Sequence, residues 1–321
     1  MPSRITSSPP KKTAVLLLAH GSPDAVEDIP EFLLKVTGGR TLPPEVVEEV
    51  SHRYSLIGRS PLTALTMRQA ELLSSELGIP VYVGMRNWKP LIADVVRKMS
   101  SDGIEHVVAI CLAPQNSRTS VGLYRSALAA TGESGFDVDF VESWHDHPLL
   151  IKAFAEKLVA GLEAVRREIG RRLPVIFTAH SVPQRTIAAG DPYEAQAKET
   201  AMLVAQQASL PSGDWSFAFQ SQGMSGGPWL GPTVEDTISQ LKEQNHNGMF
   251  IQPVGFLCDH VEVLFDIDIA FKKFAEARGM RLERAQSLND SQLLTAALAD
   301  IVRSRLGTGD NIIPAHAHAK T

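Results

Sequence analysis

The sequence predicts an α/β fold of two similar lobes, each a parallel sheet flanked by helices, with a cleft between them. Two observations lead to this prediction. Short, continuous apolar runs alternate with amphipathic stretches, as buried parallel strands alternate with their connecting helices. The alternation also occurs twice, because the segments AHGSP (residues 19–23) and AHSVP (residues 179–183) each follow a first apolar run, about half a chain apart.

The first half of the chain contains four predicted strands with helices between them. The strands lie at residues 14–19, 81–84, 107–113 and 138–141. The helices lie at residues 64–77, 91–99 and 121–130. A longer helix, residues 148–171, leads into the second half, and its basic end, RREIGRR, suits the helix dipole.

The second half repeats this order of elements. Strands are predicted at residues 175–178, 216–220, 248–254 and 281–284, and helices at residues 193–208, 233–244, 259–277 and 291–306. We therefore predict an N-terminal lobe at residues 13–160 and a C-terminal lobe with a closing helix at residues 161–306. Residues 1–12 and 307–321 are predicted to be disordered tails, the second of which contains His316 and His318.

The composition excludes several classes of protein. With 44% hydrophobic residues, 21% charged residues and a net charge of −5, the chain is typical of a soluble globular protein and unlike a nucleic-acid binder. No apolar stretch approaches the roughly 18 residues of a membrane span, and the first apolar run is too short for a signal peptide, so a cytoplasmic location is expected. The two cysteines, Cys111 and Cys258, cannot hold an Fe–S cluster through four thiolates.

The two histidines after the first strands are predicted to line the cleft. Ligands of parallel α/β sheets bind outside the carboxyl ends of the strands. His20 and His180 each stand at the end of the first strand of their half. If the two halves face each other, the two imidazoles share one site.

A line of carboxylates accompanies these histidines on the predicted helix at residues 259–277. Glu262 and Asp266 are four residues apart and therefore share one helix face, and Asp259 is expected to cap the helix at the start of that face. Beside a histidine, these oxygens form a site of nitrogen and oxygen ligands that suits Fe²⁺, Co²⁺ or Zn²⁺. The alternative is an ordinary acidic first turn that faces solvent.

Glycines and prolines surround Trp229 in residues 220–238, directly after a predicted strand. An ordered binding loop with an aromatic wall would explain this composition. A plain turn with a packed tryptophan would explain it equally well, and both interpretations stay open at this point.

Four motifs, in this order, resemble those of the ferrochelatase family over roughly residues 13–305. They are TAHSVP (178–183), GDPY (190–193), WLGP (229–232) and CDHVEVLFDID (258–268). The resemblance implies a chelatase-type, Rossmann-like fold in both lobes and a lyase that inserts Fe²⁺ into a porphyrin in haem biosynthesis. It also implies that His180 and Glu262 are catalytic and contact the metal, and that Asp266 continues the acidic line.

The chemistry of metal insertion agrees with these residue types. Insertion displaces two pyrrole N–H protons, so the site needs a weak metal ligand and a proton acceptor. A neutral imidazole fills both needs near pH 7, and a carboxylate line conducts protons or guides the cation. No organic cofactor is needed, because iron and porphyrin are substrates; other haem-pathway enzymes are candidate partners.

The predicted lip of the cleft favours coproporphyrin III, which carries four propionates. Residues 24–54 form a short, acidic segment that is apolar mainly at residues 32–34. RYSLIGRSPL (53–62) resembles a motif of the coproporphyrin-type enzymes and implies Arg53 and Ser60 as propionate anchors.

Three further substrate-binding residues are implied by the same resemblance. APQNSRTSVGLY (113–124) ends at Tyr124, WLGP places Trp229 in the tryptophan loop, and GMRNWKP (84–90) places Arg86 on the metal path. Arg86 and Asn87 stand where relatives have Arg-Tyr or Lys-His, and Asn87 cannot act as a base, because an amide can only hydrogen bond.

The first histidine segment departs from the ferrochelatase pattern. Coproporphyrin-type relatives have a Tyr that can bind the haem iron at the position of His20, so His20 is expected to contact the substrate or the product. LLLAHGSP (16–23) is more similar to the AHGS motif of sirohydrochlorin cobalt- and ferrochelatases, in which the histidine binds metal. The coproporphyrin-type enzymes also have Arg-Arg in place of Thr37-Gly38, which leaves only Arg40 nearby.

Three alternatives stay open from the sequence. The first is a ferrochelatase that acts on protoporphyrin IX, and the second is a sirohydrochlorin-type cobalt or iron chelatase, which only the AHGS segment favours. The third is a tetrapyrrole carrier or a two-lobed receptor of periplasmic type. The carboxylate line and the short first apolar run argue against a receptor.

Overall fold

The computed structural model of the protein describes residues 11–132, 135–223 and 226–307. Most of both predicted tails, with His316 and His318, therefore lies outside the described residues. No helix within these ranges is long and apolar enough to cross a membrane.

Two parallel four-stranded sheets form the framework, and both have the same strand order. The first sheet, in the order β2-β1-β3-β4, consists of β1 (Thr13–Ala19), β2 (Val81–Met85), β3 (His106–Cys111) and β4 (Asp137–Val141). The second sheet, in the order β6-β5-β7-β8, consists of β5 (Val175–His180), β6 (Trp215–Gln220), β7 (Gly248–Pro253) and β8 (Arg281–Arg284). The predicted fold of two similar α/β halves is confirmed, and the first strand of each half lies inside its sheet.

Helices connect the strands and cover the sheets. Those of the first half are α1 (Ile29–Val36), α2 (Pro44–Ile57), α3 (Leu62–Leu77), α4 (Ile92–Ser101), α5 (Val121–Ala129) and α6 (Pro148–Ile169). Those of the second half are α7 (Gln184–Ala188), α8 (Tyr193–Gln207), α9 (Val234–Glu243), α10 (Val261–Leu264), α11 (Lys272–Glu276) and α12 (Gln292–Leu306).

One hydrophobic cluster joins the two halves. It contains Leu17 from β1 and Phe177 from β5, while Leu16 faces a separate cluster on the other side of β1. This alternation is the two-sided burial that continuous apolar strands predict. Helices α6 and α12 pack against each other and contribute Leu158 and Leu298 to the shared cluster. The strand ends that carry His20 and His180 therefore rest on a common core.

The predicted lip at residues 24–54 folds into α1 and α2, two helices that the sequence analysis did not predict. Phe32 and Leu33 are buried in a cluster with Tyr54 and Trp88. Leu34, the third apolar residue of the lip, stays exposed. Most of the apolar surface of the lip is thus turned inward.

The predicted helix at residues 259–277 is interrupted, which corrects the sequence prediction. A π-helix from Asp266 to Phe271 separates α10 from α11. Its wider turn is seen in the hydrogen bond from the N–H of Ala270 to the carbonyl of Phe265, five residues earlier, at 2.9 Å.

Candidate active site

His20 and His180 occupy matched places at the carboxyl ends of β1 and β5. The Nδ1 of His20 lies 2.9 Å from the carbonyl oxygen of Gly21, and the Nδ1 of His180 bonds to the carbonyl of Ser181. Because a carbonyl oxygen only accepts, each Nδ1 donates a proton, and the neutral ring keeps its lone pair on Nε2. Both imidazoles therefore offer Nε2 as a metal ligand or a base.

The backbone beside both histidines is fixed by close contacts. Gly21 has a φ of +82°, and a Cβ at this position would lie 2.9 Å from the backbone nitrogen of Trp88. Only glycine fits there, and it places the carbonyl that orients His20. The hydroxyl of Tyr193 donates to the carbonyl of His180 at 2.9 Å. The contacts of the neighbouring backbone therefore fix the orientation of each imidazole ring.

The structure brings Glu262 against His180. Oε1 of Glu262 lies 3.6 Å from Nε2 of His180, and the two side chains are 31% and 35% exposed, so a small ion can reach them. Burial alone would raise the pKa of Glu262, but the charge of His180 and the neighbouring His260 lower it to about 2. Glu262 is therefore a carboxylate throughout the physiological pH range.

A third histidine, His260, completes this cluster, and the sequence analysis did not single it out. Its Nε2 lies 3.8 Å from Oε2 of Glu262, and its Nδ1 lies 2.9 Å from the carbonyl of Cys258. Residues two apart point away from each other on a regular helix. His260, however, has an extended backbone (φ −162°, ψ −174°) at the start of α10, so its ring joins Glu262. Burial alone would lower the pKa of His260, but the neighbouring Glu262 carboxylate raises it.

Asp259 does not cap α10, which corrects the sequence prediction, because His260 holds the cap position. The carboxylate of Asp259 instead accepts hydrogen bonds from the Ser287 hydroxyl at 2.7 Å and the Asn289 side chain at 2.8 Å. Asp259 therefore belongs to a different network from Glu262.

Asp266 continues the acidic line beyond Glu262. The Ser221 hydroxyl donates to Oδ2 of Asp266, and the Arg53 guanidinium lies 3.9 Å from Oδ1. Burial raises the pKa of Asp266 to about 6, and the charge of Glu262 acts in the same direction. Asp266 can therefore exchange a proton near neutral pH, whereas Glu262 stays ionised.

In the metal-insertion reaction that the resemblance implies, Asp266→Asn is expected to lower kcat about tenfold. It should also flatten the acid limb of the pH profile of kcat near pH 6, because an amide cannot exchange the proton. The same substitution should raise the stability of the protein at neutral pH. The folded-state pKa of about 6 exceeds the ordinary value of 3.8, so the free energy of unfolding falls as the pH rises from about 4 to about 6. The variant should melt at a higher temperature than wild type at about pH 7.5. An unchanged pH profile of kcat would remove Asp266 from the proton path.

Arg53, a predicted propionate anchor, lies beside the acidic line. It pairs with Glu49 at 2.9 Å, lies over the ring of Phe265 at 5.1 Å, and approaches Asp266. Its charge is thus shared with two carboxylates of the protein, and its contact with substrate stays a prediction.

Ser60, Arg86 and Tyr124 are the less accessible members of the predicted substrate set. Ser60 and Tyr124 are buried, and Tyr124 belongs to the hydrophobic cluster on one face of the first sheet. The Arg86 guanidinium lies 6.0 Å from the centre of the Tyr124 ring. Within the described chain, Oγ of Ser60 and Nε of Arg86 are buried without a hydrogen-bond partner. The burial of Tyr124 in the core gives its predicted anchor role no support.

The loop that carries Trp229 is held against the chain that follows His180. The N–H of Leu230 donates to the carbonyl of Val182 at 3.0 Å. The indole packs so closely over Gly223 that a Cβ there would lie 2.8 Å from the ring. These contacts place Trp229 and Leu230 beside the chain that follows His180, as a binding loop requires, and the contact of Trp229 with substrate stays a prediction.

The ligand set around His180 is small. Among the described residues, no group of three or more His, Cys, Asp or Glu side chains is arranged to hold a metal ion. His180 and Glu262 together offer one nitrogen and one oxygen, which suits an ion of borderline hardness. The other coordination positions of such an ion are open to the donor atoms of a substrate.

Two similar α/β halves, each with a histidine at the end of an inner strand, define a two-lobed chelatase fold. The sirohydrochlorin chelatase SirB from Bacillus subtilis subspecies spizizenii, solved in complex with cobalt, has this fold, with a TM-score of 0.56 at 12% identity over 92% of this chain and 94% of that chain. CbiX, described as the terminal enzyme of sirohaem biosynthesis in denitrifying bacteria, has a TM-score of 0.52 at 13% identity over 92% of this chain and 100% of that chain. At these identities the likeness shows the fold alone.

The family is shown by the sequence comparisons. Residues 12–306 match the family described as Ferrochelatase. A ferrochelatase of Acidobacterium capsulatum is 57% identical over 310 residues, 92% of this chain and 95% of that protein. A coproporphyrin III ferrochelatase of Geobacillus thermodenitrificans is 35% identical over 307 residues, which are 92% of this chain and 96% of that protein. The chain belongs to the ferrochelatase family, and the protein is a lyase that inserts iron into a porphyrin in haem biosynthesis.

Proposed function

We propose that the protein inserts Fe²⁺ into coproporphyrin III, giving coprohaem III, where the ends of β1 and β5 meet. The observation that carries the insertion site is the approach of Nε2 of His180 to Oε1 of Glu262 at 3.6 Å. Val261, next to Glu262, packs against the cluster that contains Phe32, and the Phe32 ring lies 5.9 Å from the ring of His20, so both halves of the chain border one space.

In this reaction one Fe²⁺ enters the macrocycle and two pyrrole N–H protons leave. His180 and Glu262 bind the ion weakly, and the porphyrin nitrogens replace these ligands in turn. The Glu262 carboxylate lies beside His180 and carries a negative charge, so its role is to attract the cation. The protons pass to His180 and to Asp266, whose pKa of about 6 suits proton exchange. The step needs no organic cofactor.

Two observations support coproporphyrin III as the porphyrin. The lip helices α1 and α2 bury Phe32 and Leu33 and carry several acidic residues, which does not suit insertion into a lipid phase. A relative with 35% identity over 92% of this chain carries the name coproporphyrin III ferrochelatase.

Without detergent, iron insertion should be faster with coproporphyrin III than with protoporphyrin IX by about tenfold in kcat/KM. The two additional propionates offer acceptors for charge-assisted hydrogen bonds, and one such bond is worth about tenfold. The measurement is an anaerobic absorption assay with Fe²⁺ and each porphyrin, and sirohydrochlorin serves as a third substrate. Equal or higher kcat/KM with protoporphyrin IX, or a need for lipid, would overturn the substrate assignment.

A protoporphyrin IX ferrochelatase is the second candidate, and two observations favour it. Leu34 on α1 and Leu56 on α2 are 45% and 50% exposed, so the lip keeps some apolar surface. The absence of the Arg-Arg pair at Thr37-Gly38 points in the same direction. The assay with both porphyrins decides between the two substrates.

His20 is proposed as the axial ligand of the product iron. Desolvation by the surrounding walls of the cleft, together with the charge of Arg86, lowers the pKa of His20 to about 4 although the residue is exposed to solvent, so the ring is neutral at pH 7 and its Nε2 keeps a lone pair. We expect the haem complex of wild type to show nitrogen ligation down to about pH 4, and the complex of His20→Ala to lack it. Absorption and resonance Raman spectra give the answer. Identical spectra of the two proteins would show that His20 does not bind the product iron.

A further inference from the structure

Arg284, at the carboxyl end of β8, binds the segment that carries the site at two points. Its Nε and Nη2 form a bidentate ion pair with Asp268, at 2.6 and 2.8 Å. Its Nη2 also lies 3.3 Å from Oδ1 of Asp259. Asp259 and Asp268 stand on either side of His260, Glu262 and Asp266 in the sequence. One guanidinium therefore fixes both ends of this segment.

The chain after β8 adds neutral hydrogen bonds to the same network. Besides donating its side chain to Asp259, Asn289 accepts a hydrogen bond from the N–H of Asp259 at 2.9 Å. Gln69 of α3, in the other half of the chain, donates to the carbonyl of Asn289 at 2.5 Å. The segment is thus tied to both halves, with Arg284 as the cation that contacts both of its bracketing carboxylates.

A groove of about 570 Å³ opens beside this network, with Lys157, Asp268 and Arg284 in its lining. Most charged groups of the groove are engaged with protein neighbours, since Arg284 pairs with Asp268 and Asp259 and Lys157 bonds to Gln286 at 3.1 Å. These contacts indicate a role in holding the chain rather than in binding a ligand.

We infer that Arg284 is a positioning residue for iron insertion, which holds residues 259–268 in the interrupted helical form that sets Glu262 against His180. Helix α10 has only four residues, and π-helical turns are rare, so this local structure depends on tertiary contacts. A bidentate pair between arginine and a carboxylate is directional, and the Arg284 side chain is only 16% exposed. The inference rests on the proposed role of Glu262.

The test compares Arg284→Gln and Arg284→Lys with Arg281→Gln in the anaerobic insertion assay. Arg281 is a matched control because it lies on the same strand and forms its own bidentate pair, with Glu168 at 2.8 and 2.7 Å. We expect Arg284→Gln to lower kcat by about ten- to a hundredfold and to change the KM for porphyrin less than about threefold, because site geometry rather than binding is lost. Arg284→Lys keeps the charge but loses the bidentate geometry of the guanidinium, so its kcat should lie between those of wild type and Arg284→Gln. Arg281→Gln should keep the wild-type kcat.

Equal kcat values of Arg284→Gln and Arg281→Gln would overturn the inference, as would a fall in kcat/KM that comes entirely from KM. If Arg284→Gln does not fold, Asp268→Asn removes the partner charge with little change of size and should lower kcat in the same way. A failure of the proposed function looks different, because Glu262→Gln would then turn over normally. A failure of this inference alone leaves Glu262→Gln impaired and Arg284→Gln normal.

Discussion

His180→Ala is expected to lower iron insertion by about a thousandfold while the protein stays folded and still binds porphyrin. The imidazole serves as both metal ligand and proton acceptor in the proposed step, and the loss of a general base alone costs about 10²–10⁴-fold. The side chain is 35% exposed, so its removal leaves no closed cavity in the core. Turnover should therefore fall far more than stability.

The measurement pairs the insertion assay with a fluorescence titration of porphyrin binding. His106→Ala is the control, because His106 begins the inner strand β3, at the amino-terminal end of the strands and away from the carboxyl ends that carry the site. It should leave both readouts at the wild-type level. Near-normal turnover of His180→Ala would remove His180 from the mechanism.

Glu262→Gln is expected to lower kcat about a hundredfold with little change in the KM for porphyrin. The amide keeps the shape of the side chain, but it loses the charge that attracts Fe²⁺ beside His180. Since the Glu262 carboxylate raises the pKa of His260, the same substitution should also lower that pKa. Titration of the His260 ring by NMR gives a readout that does not depend on turnover.

Glu235→Gln is the matched control for this variant, because Glu235 lies in the first turn of α9 as Glu262 lies in the first turn of α10. Its kcat should equal that of wild type. If Glu262→Gln also turns over normally, the carboxylate line is an ordinary acidic helix face.

The strands were the most predictable elements, because strands buried on both faces read as continuous apolar runs. β5 shows the limit of this rule, since it was predicted to end at residue 178 and continues to His180, which is not apolar. The helices α1 and α2 were missed because a short, charged segment with several prolines has the composition of a loop. Nothing in the local sequence distinguishes the π-helix at Asp266–Phe271 from a regular helix, so its wider turn required the structure.

The site was predictable where it depends on local rules. The rule that ligands bind at strand ends predicted His180 in the cleft, and helical spacing predicted Glu262 and Asp266 on one face, while the catalytic roles of these residues stay predictions. His260 was missed because its contact with Glu262 needs an extended backbone at the helix start. Asp259 is a favoured capping residue, but contacts with residues far along the chain engage its carboxylate instead.

Arg284 was missed because, like the hydrogen-bond partners of Asp259, it contacts residues that are distant in the sequence. Its ion pair joins residues 16 positions apart on different elements, and spacing within one element cannot predict such a contact. The sequence therefore predicts candidate groups for the chemistry, whereas their contacts with distant parts of the chain are seen only in the structure.

The most direct test of the account is the single-turnover rate constant of iron insertion into coproporphyrin III, measured for wild type, His180→Ala and His20→Ala. The central claim is that two histidines in matched places have different tasks, His180 in insertion and His20 in holding the product. We predict that His180→Ala blocks the single turnover, and that His20→Ala keeps a rate constant near that of wild type. Insertion that survives in His180→Ala and is blocked in His20→Ala would contradict the account.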